Sequence, residues 1–374
     1  MKPYHKYVGL DVHKERNEVA IAESTGEVRL YGSISNDLHA LEKLVVKLRG
    51  ENVVLHFVYE AGPCGFVIQR RLQQLGEQCI VVAPSLIPRK SGDRVKTDRR
   101  DATMLARLHR AGELTGIHIP DERDEAIRDL VRARTDAVTD RRDNRHRLKA
   151  FLLRHGYKYS GKSSWTPAHL RYLRELVLAD PAHKVVLEEY LLAITQATER
   201  IERLETHLAT LAASWRMKPV VDALQGLRGV QLLTAVALAA ELGDLSRFRH
   251  PRQLMAFLGL VASEYSSGNS RRQGSITKAG NSHARWFLVE AAQHYRLPPK
   301  VSKELAPRQQ KLPMRLREIS WKAQVRLHKK YWSMMLRGKR VQTIQVAVAR
   351  ELVGFIWATA RSVQPATADK PLAD

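Results

Sequence analysis

KYVGLDVHKERNEVAIAE, residues 6–23, is an apolar run, a polar turn and a second apolar run. It reads as two strands of a hairpin, and the first of them bears one carboxylate, Asp11, among apolar neighbours. Two further stretches repeat the signal. NVVLHFVYE, residues 52–60, is another strand, ending in Glu60 just before a Gly- and Pro-rich break. VKTDRRDATMLARL, residues 95–108, has a helical pattern in which Asp98 and Asp101 are spaced i,i+3 and so share one helix face. A single acid at a strand end is ordinarily a solvated surface residue. The combination is what points to chemistry: two strand-borne carboxylates and a helix-borne pair can hold two Mg²⁺ ions roughly 3.5–4 Å apart, clamping the attacking and leaving oxygens of a phosphodiester. An all-oxygen set suits Mg²⁺ or Mn²⁺ rather than zinc.

Around these acids the first 120 residues read as mixed α/β. Strands are expected near 6–11, 17–23, 28–34, 53–59 and 79–83. DLHALEKLVVKLRG (37–50) is a helix opened by Asp37 and closed by Gly50, and GFVIQRRLQQLG (65–76) a second one stopped by Gly76. A hairpin meander followed by alternating helix and strand predicts a ribonuclease-H-like, RuvC-like layout. There is no GxGxxG and no GxxxxGK[ST], so a dinucleotide enzyme or ATPase would lack its phosphate loop.

Composition favours a polyanionic partner. The 374 residues include 62 Lys+Arg against 39 Asp+Glu, a formal net charge of +23, and nucleic acid is the commonest ligand of so basic a chain. Cys64 and Cys79 have no CxxC spacing and read as reduced thiols of a cytoplasmic, nucleoid-associated protein. The longest apolar segment, VQLLTAVALAAEL (230–242), is too short to span a bilayer, so no membrane role is expected.

Residues 121–218 read as a basic helix followed by a coiled-coil arm. The helix over 124–156 bears Arg132, Arg134, Arg141, Arg142, Arg145, Arg147 and Lys149, a candidate ridge for a nucleic-acid backbone, although interspersed aspartates also allow a merely solvated face. After a Ser/Gly/Lys-rich break at 159–169, apolar positions Leu187, Leu191, Ile194, Ile201, Leu204, Leu208 and Leu211 recur at 3–4 spacing. This stripe predicts a coiled coil, either folded back within the chain or, preferably, against another subunit.

A third module spans 219–362, and 363–374 is expected to be a disordered tail. In VVDALQGLRGVQLLTAVALAAEL (220–242), Gly226 and Gly229 allow a helix-hairpin-helix-like turn that would offer backbone N–H groups to a phosphate. SEYSSGNSRRQGSITKAGNSHARW (263–286) is rich in Ser, Gly and cations. It reads either as an active loop, with a hydroxyl nucleophile and Arg271, Arg272 and Lys278 for phosphate, or as a flexible surface loop. Residues 296–340 hold 14 Lys/Arg against two Glu, interleaved with Trp321, Tyr331 and Trp332. Cations among aromatics suit single-stranded nucleic acid.

Asp11 in GLDVHK, Glu60 in YEAGP, Asp98 and Asp101 in KTDRRDA, the GLRGV turn, FLGL, and SSG followed by ITKAGN together resemble the bacterial insertion-sequence transposases of the IS-one-ten type, over nearly the whole chain. The resemblance implies a DEDD RuvC-like domain, a coiled-coil arm and a transposase domain whose serine matches Ser267, with Ser266 adjacent. Where relatives often have Pro, this chain has Ala262. The resemblance further implies a homo-oligomer, dimer or tetramer, that cleaves and rejoins element ends and target DNA through a phosphoserine link, guided by a noncoding RNA. Using the acids alone with water as nucleophile, the chain would instead be a Holliday-junction-type endonuclease; with vestigial acids it would be a non-catalytic nucleic-acid-binding regulator.

Overall fold

β1 (Tyr4–Val12) is the centre from which the N-terminal unit is built, because it is paired on both sides. It runs antiparallel to β2 (Arg16–Glu23) and parallel to β4 (Val53–Glu60). β3 (Arg29–Ser35) extends the antiparallel side and β5 (Gln78–Val82) the parallel side, giving a five-stranded mixed sheet in the order β3-β2-β1-β4-β5. This is consistent with a DEDD nuclease-like domain, and each expected strand is present within two residues of its expected ends. The computed structural model describes residues 3–88, 97–267 and 270–363. Chain contacts divide it into two units, 1–119 and 120–374.

Alternation along β1 sends successive residues to opposite faces. Val8 and Leu10 pack with Val19, Ile21, Phe57 and Tyr59 beneath α1 (Leu38–Leu48) and α2 (Val67–Gln74). Asp37 caps α1 by accepting the Ala40 N–H at 2.8 Å, and Gly76 follows α2 with φ +82°. The other face is lined by small residues. Gly9, Ala20 and Ala22 meet Ala102 and Ala106 of α3 (Asp98–Arg110), and Val58 meets Leu105 and Leu108. The approach is so close that a Cβ at Gly9 would stand 2.3 Å from the Ala102 carbonyl oxygen. Cys64 and Cys79 are both free thiols.

In the second unit α4 (Glu122–Arg154) and α6 (Pro181–Ala213), 33 residues each, pack along one another, with α5 (Pro167–Glu175) between them in sequence. Leu148, Phe151 and Leu152 of α4 cluster with Leu187 and Ile194 of α6 at one end, while Ile127 and Val131 join Leu208 and Ala212 at the other. The apolar stripe expected to meet another subunit is therefore covered by α4 of the same chain. Periodicity reports that a face is buried, but it does not say by what.

The end of this arm holding Ile127 and Leu208 shares one core with α7 (Lys218–Leu224), α8 (Leu232–Leu242), α9 (Pro251–Phe257), α10 (Ser282–Ala292), α12 (Met314–Leu336) and α13 (Val341–Arg361), while the short α11 (Ala306–Gln310) links α10 to α12 in sequence. Between α9 and α10 lies a second correction. The Ser/Gly-rich segment expected as a loop is a two-stranded antiparallel ribbon, β6 (Ala262–Ser267) and β7 (Ser270–Ile276). Its backbone pairing is supported by the Ser263 hydroxyl, which donates to the Ser275 carbonyl at 3.2 Å. Residues 268, 269 and the tail from 364 lie outside the described residues. No described helix is long and apolar enough to cross a membrane.

Because the Gly9 contact is with backbone, which cannot swing aside, Gly9→Ala is expected to displace α3 and destabilise the protein by about 1–3 kcal/mol, as overpacking does. Urea unfolding of wild type and variant measures this.

Candidate active site

Three of the four predicted acids are gathered by β1 and α3. Asp98 and Asp101 occupy the first turn of α3, whose N-cap is Thr97. The ligand atoms of Asp11, His13 and Asp98 all lie within 4.8 Å of one another, the one such group found among the described residues. His13 Nε2 is 3.0 Å from Asp11 Oδ2 and 3.5 Å from Asp98 Oδ1, and the Arg16 guanidinium is 3.9 Å from Asp98. Burial pushes the Asp11 carboxyl above its ordinary range; His13 opposes the rise, and the charges of Asp101 and Asp98 add to it. Asp101 is thus felt at Asp11 although it stands outside the three-atom group. Glu60 closes β4 on the same sheet face as Asp11, since β1 and β4 are in register through Leu10 and Tyr59 and Val58 faces α3. Its carboxylate is not part of the three-residue group either.

The site thus has an oxygen-rich donor set, with one imidazole, at the C-terminal end of the central strand β1. The residues fit a hard divalent cation: a carboxylate raised by burial and by like charges is one that a cation would stabilise. Sequence reasoning missed His13. Its only signal was its place two residues after Asp11 in the same strand-end turn. Glu18 pairs directly across from Asp11 on β2.

Ser267 ends β6 opposite Ser270 and is exposed. The neighbouring Ser266 hydroxyl donates to Glu264 Oε1 at 2.8 Å, whereas the Ser267 hydroxyl has no hydrogen-bond partner among the described residues. Arg272 is exposed on β7 opposite Tyr265. Arg271 pairs with Ser266 through the backbone, and its side chain lies outside the described residues. Lys278 is exposed, with φ +55° and its N–H donating to the Gly259 carbonyl. That junction is tightly packed. A Cβ at Gly259 would meet the Ala279 carbonyl oxygen at 2.3 Å, and Gly280 lies so close to the Phe257 carbonyl that it has no room for one. FLGL and TKAGN are therefore two sides of one backbone contact at the ribbon's base.

Asn281, next in the chain, caps α10 and donates to Glu241 Oε2 at 2.7 Å. Glu241, buried on α8, also accepts both branches of the Arg132 guanidinium, at 2.9 and 3.0 Å. These partners hold the Glu241 carboxyl below its usual range in spite of burial. Arg132, assigned from sequence to a nucleic-acid ridge, is thus part of a structural ion pair, and so is Arg134, bound to Glu205. Of the other ridge residues, Arg145 lies 4.6 Å over the Trp165 ring, Arg142 pairs with Asp143, and Arg141 is half-buried. Gly226 and Gly229 sit in the α7–α8 turn, and the close packing there requires a glycine at 229. The Gly226 carbonyl accepts from Gln309 and Ser320, and a Cβ at Gly229, with φ +80°, would stand 2.5 Å from the Ala291 carbonyl oxygen. Tyr331 is core, while Trp321 and Trp332 are nearly half exposed.

Residues 8–156 match a family model described as transposase of the DEDD type, and residues 221–304 one described as transposase of the IS116/IS110/IS902 family. The chain is similar to a putative transposase of Sinorhizobium fredii, y4qE, with 47% identity over 96% of this chain and 90% of the relative. It is also similar to the transposase of insertion sequence element IS1533 from Leptospira borgpetersenii, with 32% identity over 90% of this chain and 98% of the relative.

Burial and neighbouring acids raise Asp11 in the folded state, so the folded chain holds its proton to higher pH than the unfolded chain does. The group's contribution to stability is present at low pH and is lost as pH rises through the raised value. Asp11→Asn should therefore raise the melting temperature of EDTA-treated protein at pH 7 and leave it little changed at pH 4, a difference that differential scanning calorimetry at the two pH values checks.

Proposed function

The chain belongs to the IS116/IS110/IS902 family and is a DNA transposase of an insertion sequence; from that premise we propose that Ser267 is its nucleophile and that strands are exchanged through a phosphoserine intermediate. The observation supporting this reading is the contrast between the adjacent hydroxyls. The Ser266 hydroxyl is engaged by Glu264, whereas the Ser267 hydroxyl is on an exposed residue and has no hydrogen-bond partner among the described residues.

In the proposed step Ser267 Oγ attacks the scissile phosphorus. The Oγ–P bond forms, the bond from phosphorus to one DNA oxygen breaks, and the serine proton passes through solvent to that oxygen, which departs as a hydroxyl. Attack by a DNA hydroxyl reverses the step and reseals a strand, so the phosphodiester energy is conserved without ATP. Arg271, Arg272 and Lys278 are read as cations that ground the phosphate. Asp11, Glu60, Asp98 and Asp101 would hold one or two Mg²⁺ or Mn²⁺ ions, which when bound supply charge neutralisation at the phosphate and its leaving oxygen. His13, hydrogen-bonded to Asp11, orients that carboxylate.

The basic surface is read as a track for nucleic-acid backbone. Its members include Arg141, Arg142 and Arg145, the cations of 296–340 and the half-exposed Trp321 and Trp332. The GLRGV turn with Gly226 and Gly229 is kept in this reading as a helix-hairpin-helix-like contact. A noncoding RNA pairing with element ends and target would supply sequence choice, with the protein acting as a homo-oligomer.

With joined-end DNA, RNA from the element's noncoding flank and Mg²⁺, wild type and Ser266→Ala should both form a covalent protein–DNA adduct on a denaturing gel, and Ser267→Ala should form none. Strand cleavage without an adduct in wild type would instead establish water as nucleophile, the resolvase-type chemistry.

A further inference from the structure

We propose that Glu18 is a fifth carboxylate of the metal centre, holding the divalent cation from the β2 side. The inference rests on the metal reading above and extends it to a residue that the four-acid motif does not contain.

Register makes the first argument. Asp11 and Glu18 are direct partners in the antiparallel β1–β2 pair. Residues so opposed share a sheet face with their Cβ atoms about 4.5–5.5 Å apart. The next pair on that face, Gly9 and Ala20, lies under Ala102 and Ala106 of α3. Glu18 therefore stands at the level of the first turn of α3, the turn that bears Asp98 and Asp101.

Its surroundings make the second. Glu18 is only 5% exposed, whereas Glu15 is exposed and Glu23 is half-buried and paired with Arg29. Among the described residues its carboxylate has no hydrogen-bond or ion-pair partner. A buried carboxylate with a purely structural role is ordinarily satisfied by a cation or by N–H groups. The obvious candidate, Arg16, is on the same face two residues away, yet its guanidinium reaches toward Asp98. Two carboxylates directly opposed across a strand pair also repel one another. An acid set across from Asp11 at the level of Asp98 and Asp101, with no partner for its carboxylate among the described residues, is what a cation held from the β2 side would require; in the metal-free chain Glu18 stands outside the three-residue group of Asp11, His13 and Asp98.

The test is Mn²⁺ titration of the full-length protein without DNA, with free Mn²⁺ read by electron paramagnetic resonance and the fold checked by circular dichroism. Glu18→Gln, nearly isosteric, should weaken Mn²⁺ binding about tenfold, the scale on which supporting ligands act. Glu18→Asp, which keeps the charge but shortens its reach, should fall between Gln and wild type, and it decides the matter if the Gln variant does not fold. Asp11→Asn is the control. If it loses Mn²⁺ while both Glu18 variants bind as wild type does, Glu18 is not a ligand and the four-acid centre stands. If wild type itself binds no Mn²⁺, the metal reading fails and Glu18 falls with it.

Discussion

The absence of a side chain at residue 9 is the constraint on which the acidic centre depends. β1 bears Asp11 and α3 bears Asp98 and Asp101, and the two elements approach until the Ala102 carbonyl occupies the space a Cβ would need. Ala20, Ala22, Ala102 and Ala106 complete the same contact. Side chains this small contribute little apolar area. The helix sits close because nothing holds it off, and Leu105 and Leu108 packed on Val58 secure it along its length. The consequence is chemical: acids far apart in sequence come within ligand distance of one another only because the helix lies directly on the strands.

A comparable device works in the second unit. Gly259 and Gly280 bring two backbone segments together at the base of the ribbon, and Asn281, the residue that follows, caps α10 while donating to the buried Glu241. Glu241 in turn grips Arg132 on α4 through two hydrogen bonds. The arm helix, the core helix α8 and the start of α10 are thereby joined through one desolvated carboxylate. Removal of one partner from such a network leaves a buried charge, which is far more costly than never having built the pair. The proposed nucleophile thus stands on a short ribbon whose base is fixed by backbone contact and by this network, while its own hydroxyl is left uncommitted.

Much of this was legible in the sequence, and the reasons differ from place to place. The strands around Asp11 and Glu60 were readable because alternation and apolar runs report local burial directly. Asp37 and Gly76 marked helix ends because capping is a matter of a few neighbouring atoms. The ribbon at 262–276 was not legible: Ser and Gly are poor strand formers, and pairing between the two strands overrode their preference. Nor was the fate of the arginines on α4. Arg132 and Arg134 look like Arg142 in sequence, yet the first two are bound to Glu241 and Glu205, partners 109 and 71 residues away.

The sequence by itself determined the mixed α/β beginning and helical remainder, the basic character, the four acids and the serine-bearing segment, because each depends on composition or on spacing within one element. Only the tertiary structure decided that α4 covers the stripe of α6, that residue 229 has no room for a side chain, and that the Ser266 hydroxyl is engaged while that of Ser267 is not. It alone placed His13 beside Asp11 and Asp98, and Glu18 across from Asp11. All of these are relations between segments distant along the chain, set by strand register and helix packing, which no local pattern encodes.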